Sequence, residues 1–355
     1  MYNQNPVFIP GPTNIPDVIR KACDVATIDH RSADFARLFN PAVAGVKEVL
    51  GTKSGEVIIF PSTGTGGWEA AISNTLSPGD TVLAARFGMF SHRWIDMCQR
   101  HGLNVQIIET PWGQGAPIAR IQAALAADRD HVIKAVLATH NETATGVRSD
   151  IAAIRRALDK TGHPALLMVD GVSSIGSMEF RMDAWGVDVL LGASQKGLMA
   201  PPGMGFVWFS DKALRAGKGA RLRTPYWDWT NRARPQEFWH YWFGTAPTHH
   251  LYALRESLTM MLREEGLPAL WARHESLARA VWAAVEAWGA GNPAIRLNLA
   301  DPAARGRSVT SVSFGAPHAA ALRDWTARNG VTLGIGLGMG TEEDPRATGW
   351  LRIAH

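Results

Sequence analysis

The segments ALLMVDGVSS at positions 165–174 and VDVLLGASQKG at positions 187–197 decide the fold of this chain. Each begins with a short apolar run, and such runs are typical of strands that are buried on both faces of a parallel sheet. Asp170 ends the first run, and Lys196 lies just past the second. Because ligands collect at the carboxyl ends of parallel strands, we expect these two side chains to line one site.

An acid and a lysine in these positions are what a pyridoxal phosphate site needs. A lysine amine can bind this cofactor as a Schiff base, and an acid can pair with its pyridine nitrogen so that the ring acts as an electron sink. Either residue alone is weak evidence, but the pair on neighbouring strands points to pyridoxal chemistry. The sequence therefore predicts pyridoxal 5'-phosphate as cofactor, with Lys196 and Asp170 as the catalytic residues.

The pattern around these segments predicts an α/β fold with a mostly parallel sheet. Strand-like runs alternate with amphipathic stretches, as in doubly wound α/β proteins. The predicted strands are 56–60, 81–85, 104–109, 132–138, 165–170, 187–191 and 204–209. The predicted helices between them are 67–76, 90–102, 118–127 and 148–160.

The rest of the chain predicts a second, smaller unit. Two long amphipathic helices, 247–266 and 267–289, precede strands near 308–314 and 349–353 and a helix near 318–329. We expect three parts: an N-terminal arm, a large cofactor-binding domain and a small α+β C-terminal domain. Their predicted bounds are 1–20, 21–265 and 266–355.

Composition excludes several other classes of protein. The 355 residues carry a formal charge of +4, and the basic residues are scattered, which argues against a nucleic-acid partner. Two cysteines, Cys23 and Cys98, exclude a disulfide framework and lack metal-ligand spacing, so we expect no metal and a reducing cytoplasm. The chain start has no signal-peptide pattern, and no apolar run is long enough to span a membrane.

Four further segments offer candidate binding residues, each with a structural alternative. FPSTGTGGWEAAISNTL (60–76) is a strand end, a turn and a helix, and such helix starts bind phosphate, although a tight turn explains it equally well. Phe90 is suited to stack on a cofactor ring or to pack in the core. Thr143 is suited to donate to the cofactor's phenolic oxygen or to cap a turn. Arg352 is suited to clamp a substrate carboxylate or to form a surface ion pair.

Taken together, these segments resemble class V aminotransferases of the alanine/serine/aspartate–glyoxylate group. The resemblance runs from about residue 8 to the chain end, and the SQK-x-x-x-x-PPG pattern at 194–203 is its most specific part. Its other landmarks are PGPTN (10–14), DHRS (29–32), STGTGGWEA (62–70), FGMFSHRW (87–94), THNETATGV (139–147), VDGVSSIGS (169–177), LYALRES (251–257) and WLRI (350–353). It implies a fold-type I, aspartate-aminotransferase-like structure.

The resemblance also implies a role for each matching residue. Lys196 would hold the cofactor and act as general base and acid, while Asp170 would pair with the pyridine nitrogen. The other residues implied to bind cofactor are Thr63, Gly64, Thr65, Phe90, Thr143, Val172 and Gln195, with Thr245 reaching the phosphate of a partner subunit. Arg352, supported by the backbone near Gly11, would bind the substrate α-carboxylate. The family's tyrosine before that threonine has no clear match, although Tyr241 and Trp242 are near.

The implied activity moves an amino group from serine, aspartate or alanine to glyoxylate by ping-pong kinetics, giving glycine and a 2-keto acid. An aspartate donor needs a second cation, for which Arg31, Arg86 and Arg93 are available. The resemblance further implies a homodimer with shared active sites and a small domain that continues beyond His355. Alternatives are a ureidoglycine–glyoxylate aminotransferase, a lyase or desulfurase on the same fold, and a noncatalytic cofactor-binding protein.

Overall fold

The computed structural model describes residues 6–338 and 346–355. Strands form where the sequence has short runs of β-branched and other apolar residues, since these pack well on a pleated surface. The strands, in chain order, are β1 (Val7–Phe8), β2 (Glu56–Pro61), β3 (Thr81–Arg86), β4 (Asn104–Glu109), β5 (Ile133–Thr139), β6 (Asn141–Glu142), β7 (Val147–Arg148), β8 (Leu166–Asp170), β9 (Val189–Ala193), β10 (Met204–Phe209), β11 (Arg296–Leu297), β12 (Val309–Ser313), β13 (Thr332–Ile335) and β14 (Trp350–Ala354).

The helices fall between the strands. The helices are α1 (Asp17–Ala22), α2 (Ala33–Val49), α3 (Gly64–Thr75), α4 (Met89–Arg100), α5 (Ile118–Ala127), α6 (Ile151–Thr161), α7 (Asp211–Ala216), α8 (Thr230–Ala233), α9 (Thr248–Thr259), α10 (Leu267–Gly289), α11 (His318–Arg328) and α12 (Arg346–Gly349). In the described residues no helix is long and apolar enough to cross a membrane.

Helix α6 shows how the local sequence sets these elements. Its buried residues include Ile151, Ile154 and Leu158, whose spacing places them on one face. Asp150 caps its start by accepting a hydrogen bond from the amide of Ala153 at 2.8 Å. The helix ends at Gly162, whose φ of +63° suits glycine.

The large sheet has the strand order β2-β10-β9-β8-β5-β3-β4. The strands from β9 to β4 run parallel, whereas β10 is antiparallel to both of its neighbours, β9 and β2. The predicted α/β fold with a mostly parallel sheet is confirmed. Strands β8 and β9 are adjacent and parallel, so the end of β8 at Asp170 and the segment after β9 lie at the same edge of the sheet.

The small sheet has the order β1-β13-β14-β12-β11 and brings the two ends of the chain together. Strand β1 pairs in parallel with β13, so part of the predicted N-terminal arm belongs to this sheet. A separate core packs beneath the sheet, and its buried members are Val285, Val312, Ala319 and Leu351. Helix α10 supplies Val285 and therefore joins this core to the rest of the chain.

Of the two long helices predicted, 267–289 is confirmed as α10, whereas the one predicted for 247–266 is not uniform. Helix α9 ends at Thr259 and continues as a π-helical segment, Met260–Glu265. Gly266, with a φ of +79°, then separates this segment from α10. Because few residues other than glycine adopt this backbone conformation, the break falls at Gly266.

Tyr241 protects the free edge of the large sheet, which β2 forms. Its buried hydroxyl accepts from the amide of Ile59 at 2.8 Å and donates to the carbonyl of Val57 at 2.9 Å. Trp242 beside it is also buried, and packs against Phe39. Both residues therefore belong to the core of this chain, and the Tyr241 hydroxyl does not lie at the surface next to Thr245.

Replacing Tyr241 with phenylalanine should lower the free energy of unfolding by about 1–3 kcal/mol, because two buried backbone groups of β2 lose their partner. Urea unfolding measures the change. The control is Tyr252→Phe, since the hydroxyl of Tyr252 makes no hydrogen bond within residues 6–338 and 346–355. A loss as small in Tyr241→Phe as in the control would contradict this role.

Candidate active site

Lys196 lies in the turn between β9 and β10 with its side chain largely buried. The turn is held by Ser194, whose hydroxyl donates to the carbonyl of Pro201 at 2.7 Å. The ammonium group of Lys196 donates to the carbonyl of Pro10. Burial lowers the pKa of Lys196 to about 8, with a further lowering from the charge of Arg352 and an opposing effect of Asp170.

The N-terminal segment reaches the lysine and is fixed to its turn. The amide of Thr13 donates to the carbonyl of Gln195 at 3.1 Å, and its hydroxyl donates to the carbonyl of Lys196 at 3.4 Å. Gly11 has a φ of +93°, and a Cβ atom there would overlap the Lys196 side chain. The close approach of backbone to lysine therefore requires glycine at position 11.

Asp170 is almost fully buried, and both of its carboxylate oxygens accept hydrogen bonds. The amide of Val172 donates to Oδ1 at 2.8 Å, and the indole of Trp68 donates to Oδ2 at 3.2 Å. Burial raises the pKa of Asp170 to about 7, and the nearby carboxyl of Glu142 raises it further, while the two N–H donors and Lys196 oppose the rise. A nearby cation would restore the charged form of this buried carboxyl.

The start of helix α3 forms the predicted phosphate seat. Thr63 is its N-cap, but the threonine side chain makes no capping hydrogen bond. Gly64 is buried and packs against Val172, where a Cβ atom would lie 2.7 Å from Cγ2. Thr63 and Thr65 are exposed. The first-turn amides and the helix dipole therefore remain available for an anion in the described part of the chain.

Gln195 adds an unsatisfied polar group next to the lysine. Its amide oxygen is buried and has no hydrogen-bond partner in the described residues. Since buried polar groups nearly always have a partner, this atom marks a place where a polar group of a ligand fits. Helix α3 packs against β9 and β10, the strands that flank the Gln195 turn.

Glu142, which the sequence reasoning did not single out, organises the next part of the site. Its buried carboxylate accepts from the amides of Phe90 at 3.2 Å and Ser91 at 2.8 Å, at the start of α4. It also accepts from the amide of Ala144 at 3.1 Å. Burial raises the pKa of Glu142, against the effect of these donors. One carboxylate thus fixes the segment carrying Phe90 to the segment carrying Thr143.

Arg352 lies on β14 of the small sheet, and its side chain contacts the segment carrying Thr143, which follows β5 of the large sheet. Its Nε donates to the carbonyl of Ile335 at 2.7 Å, and its Nη1 donates to the carbonyl of Thr143 at 3.2 Å. The side chain is buried, and burial lowers the pKa of Arg352 to about 10 while Glu142 opposes this. Arg352 is therefore a buried cation beside Lys196, and not a surface ion pair.

The recorded contacts connect most of the predicted residues to one edge of the large sheet. The connected residues are Gly11, Gly64, Phe90, Thr143, Asp170, Val172, Gln195, Lys196 and Arg352, with Thr63 and Thr65 at the start of α3. Thr245 is the exception: it is exposed and makes no hydrogen bond within the described ranges.

The three arginines considered for an aspartate donor lie in different places. Arg86 pairs with Glu109, and Arg31 is exposed and lines a separate cavity with Trp239 and His240. Arg93 lies over the ring of Phe90, with its guanidinium carbon 5.8 Å from the ring centroid. Arg93 is therefore the one of the three with a contact to a predicted site residue.

A cavity of about 280 Å³ opens on another side of the lysine. It is largely apolar and is lined by the N-terminal segment and by α10, with Ile9, Leu270 and His274 among its residues. Lys196 lines it, but Asp170, Thr63 and Arg352 do not.

Comparisons with known proteins agree with this geometry. Residues 20–340 match the family Aminotransferase class-V. The chain is 58% identical over 299 residues to an L-aspartate–glyoxylate aminotransferase of Paracoccus denitrificans, covering 84% of this chain and 75% of that protein. It is 46% identical over 343 residues to a serine–glyoxylate aminotransferase of Methylorubrum extorquens, covering 94% and 83%.

A solved structure extends the likeness to the whole fold. An alanine–glyoxylate aminotransferase from Nostoc sp. superposes with a TM-score of 0.88 at 28% identity, covering 100% of this chain and 90% of that one. The family match, the sequence identities and the fold lead to the same conclusion. This chain belongs to the class V aminotransferases.

Proposed function

We propose that this chain transfers the amino group of a small L-amino acid to glyoxylate, forming glycine and a 2-keto acid with pyridoxal phosphate as cofactor. The observation that carries the proposal is the placement of buried Asp170 and Lys196 at adjacent strand ends, with buried Arg352 beside them. The names of the similar proteins support glyoxylate as the acceptor and aspartate or serine as the donor.

The residues present fit pyridoxal phosphate. The uncapped start of α3 would bind the phosphate, with Thr63, Gly64 and Thr65 around it, and the side-chain NH2 group of Gln195 would donate to it. Phe90 and Val172 would pack on the ring faces, and Thr143 would contact the phenolic oxygen. When bound, the cofactor withdraws electrons from the substrate, and Asp170 would stabilise its protonated ring nitrogen.

Lys196 has the properties of a general base at its Nζ atom. Its pKa of about 8 leaves a substantial neutral fraction near neutral pH, which an ordinary lysine lacks. The neutral amine would take the α-proton of the donor and pass it to the cofactor, and it would make the reverse transfer when glyoxylate is the substrate. Gly11 keeps space for this side chain, and the contact with Pro10 holds it at the site in the cofactor-free chain.

Arg352 would bind the carboxylate that every amino donor shares with glyoxylate. Two carbonyl groups fix the guanidinium plane, so a planar pair of N–H donors would face the substrate without further ordering. This placement explains a buried cation that lacks a salt bridge among the described residues.

Replacing Arg352 with lysine should raise KM for both the donor and glyoxylate about 10- to 100-fold, with a smaller change in kcat. Lysine keeps the charge but loses the two-pronged geometry, and such charge-assisted hydrogen bonds contribute about 1.5–3 kcal/mol. Steady-state kinetics with each substrate varied in turn measures the effect.

Arg305→Lys is the matched control for this substitution. Arg305 is also buried and bonded to carbonyl groups, those of Leu299 and Ala300, but its charge pairs with Glu286, which is not a predicted site residue. We expect its KM values to stay within about twofold of wild type. Equal KM values in Arg352→Lys and wild type would show that Arg352 does not bind the substrate carboxylate.

A glycine-production assay tests the proposed function and identifies the donor. Cofactor-loaded protein receives glyoxylate with L-aspartate, L-serine or L-alanine, and glycine formation is followed over many turnovers. We expect aspartate or serine to give glycine with a higher kcat/KM than alanine. If no donor yields glycine, glyoxylate is not the acceptor. Arg93 offers the second cation that an aspartate donor needs.

The two cysteines argue against the desulfurase alternative. That chemistry needs a reactive thiolate, but burial raises the pKa of Cys98 to about 12 and also raises that of Cys23. Cys98 is fully buried within α4. A thiol in this position is unsuited to attack a bound substrate.

We also propose a cytoplasmic homodimer in which Thr245 reaches the phosphate of the partner subunit. Thr245 is exposed, and neighbouring Phe243 is 59% exposed with a φ of +50°. Aromatic side chains are enriched at subunit interfaces, so an exposed aromatic next to Thr245 is suited to one. Both cysteines are unpaired, which supports a reducing compartment.

A further inference from the structure

Trp68 is a buried residue at the site to which the sequence patterns assign no role. It lies in the second turn of α3, the helix whose start is the proposed phosphate seat. Its indole Nε1 donates to Asp170 Oδ2 at 3.2 Å, and both side chains are 4% exposed. The contact therefore joins the phosphate-seat helix to the carboxylate that would face the cofactor ring.

The chemistry of an indole restricts what Asp170 can do. Indole Nε1–H is a donor that cannot accept, so the oxygen facing it must offer a lone pair. Oδ1 already accepts from the amide of Val172. A proton or a ring N–H of the cofactor must therefore use one of the remaining lone pairs of the carboxylate. The plane of the carboxylate is fixed because one donor bonds to each of its two oxygens.

Packing fixes the indole itself. Trp68 stacks on Trp94, with ring centroids 6.1 Å apart and planes inclined by 14°. Trp94 is fully buried, but its own Nε1 has no hydrogen-bond partner in the described residues. Both stacked tryptophans are therefore buried and tightly packed. Of the two, Trp68 donates to Asp170, whereas Trp94 makes no such bond in the described residues.

We propose that Trp68 is a positioning residue: its indole N–H orients the Asp170 carboxylate toward the ring nitrogen of the cofactor and favours its charged form. The inference rests on the proposed function for the identity of the cofactor, and on the hydrogen bond alone for the orientation. Glu142 and Lys196 are the charged groups that also act on Asp170, in opposite directions.

The first test compares Trp68→Phe with Trp94→Phe in cofactor-loaded protein. Both variants lose an indole from the same stack, but the first alone loses a hydrogen bond to a carboxylate. We expect kcat of Trp68→Phe to fall about 10- to 100-fold with little change in KM, and kcat of Trp94→Phe to stay within about threefold. Equal effects of the two substitutions would overturn the proposal.

The second test does not depend on activity. In the full-length chain labelled with ¹⁵N at the tryptophan indoles, the resonance missing from Trp68→Phe is assigned to Trp68. Without cofactor, we expect this resonance to shift with pH as Asp170 titrates, and to stop shifting in Asp170→Asn. A resonance that ignores pH in wild type, or that still shifts in Asp170→Asn, would overturn the proposal.

The two tests separate failure of this inference from failure of the proposed function. A wild-type chain that makes no glycine, but whose Trp68 resonance follows Asp170, contradicts the glyoxylate assignment and supports the positioning bond. Should Trp68→Phe fail to fold, Trp68→Tyr takes its place in both tests, because it also removes the indole N–H and supplies the assignment.

Discussion

Replacing Lys196 with alanine should lower kcat for glycine formation by at least about 10⁴-fold. General acid–base catalysis by one side chain contributes about 10²–10⁴-fold, and this variant also loses covalent attachment of the cofactor. Because the lysine side chain occupies the space beside Gly11, its removal leaves room and adds no clash. The assay is glycine formation over many turnovers with excess cofactor.

The control for this variant is Lys134→Ala. The ammonium of Lys134 donates to the carbonyl of His131 on the surface at the start of β5, whereas the site lies at the carboxyl ends of the strands. We expect its kcat to match wild type. Multiple turnovers by Lys196→Ala at a rate near that of wild type would end the assignment of Lys196 as the catalytic lysine.

Replacing Asp170 with asparagine should lower kcat about 10²- to 10⁴-fold. Asparagine keeps the shape of the side chain but cannot carry the charge that pairs with a protonated ring nitrogen. Breaking a buried ion pair on one side costs about 3–5 kcal/mol, which corresponds to this range of rates. Retention of most of the activity would show that Asp170 does not act on the ring.

The same variant should change how stability depends on pH in the cofactor-free chain. Burial raises the pKa of Asp170 from 3.8 to about 7, so the folded chain holds this proton more tightly than the unfolded chain. The contribution of Asp170 to the free energy of unfolding is therefore greatest below pH 4, and it falls as the pH rises to about 7.

Asparagine does not titrate, so wild type should lose stability relative to Asp170→Asn between pH 4 and 7 and then remain level. Urea unfolding of both chains at pH 5, 6, 7 and 8 measures the difference. A constant difference across this range would mean that the carboxyl has an ordinary pKa in the folded chain.

The sequence predicted the fold because its strongest signals are local. The runs 165–170 and 187–191 are short, apolar and followed by polar turns, which is the pattern of buried parallel strands. Strands β8 and β9 lie at these runs, shifted by one or two residues, and they are adjacent. The geometry of parallel strands then places Asp170 and the lysine turn at one edge, without any knowledge of distant contacts.

Contacts between distant segments were harder to predict. Trp68 is one of 14 tryptophans, and nothing in its local sequence marks it as the donor to Asp170. Glu142 was inside a quoted motif, and an acid four residues after the run 133–138 was a usable signal, because the carboxyl ends of parallel strands line the site. The bond from Arg352 to Thr143 spans 209 positions, so periodicity carries no information about it.

Three expectations stay predictions: the individual roles of the cofactor-binding residues, the place of Thr245 in a partner's site, and the bounds of the three domains. Strand β1 in the small sheet shows why domain bounds resist sequence reasoning: two residues at the chain start pair with β13, more than 300 positions later. Local patterns cannot show which sheet such a short strand joins.

We propose that Lys196 and Asp170 bind pyridoxal phosphate and act with it in amino transfer to glyoxylate. The most direct test is a visible absorption titration of cofactor-loaded protein with L-aspartate, L-serine and L-alanine, followed by glyoxylate. We expect an absorbance band from the bound cofactor that one donor removes and glyoxylate restores, and that is absent from Lys196→Ala. The absence of any such band from wild type with excess cofactor would mean that Lys196 and Asp170 do not form a pyridoxal phosphate site.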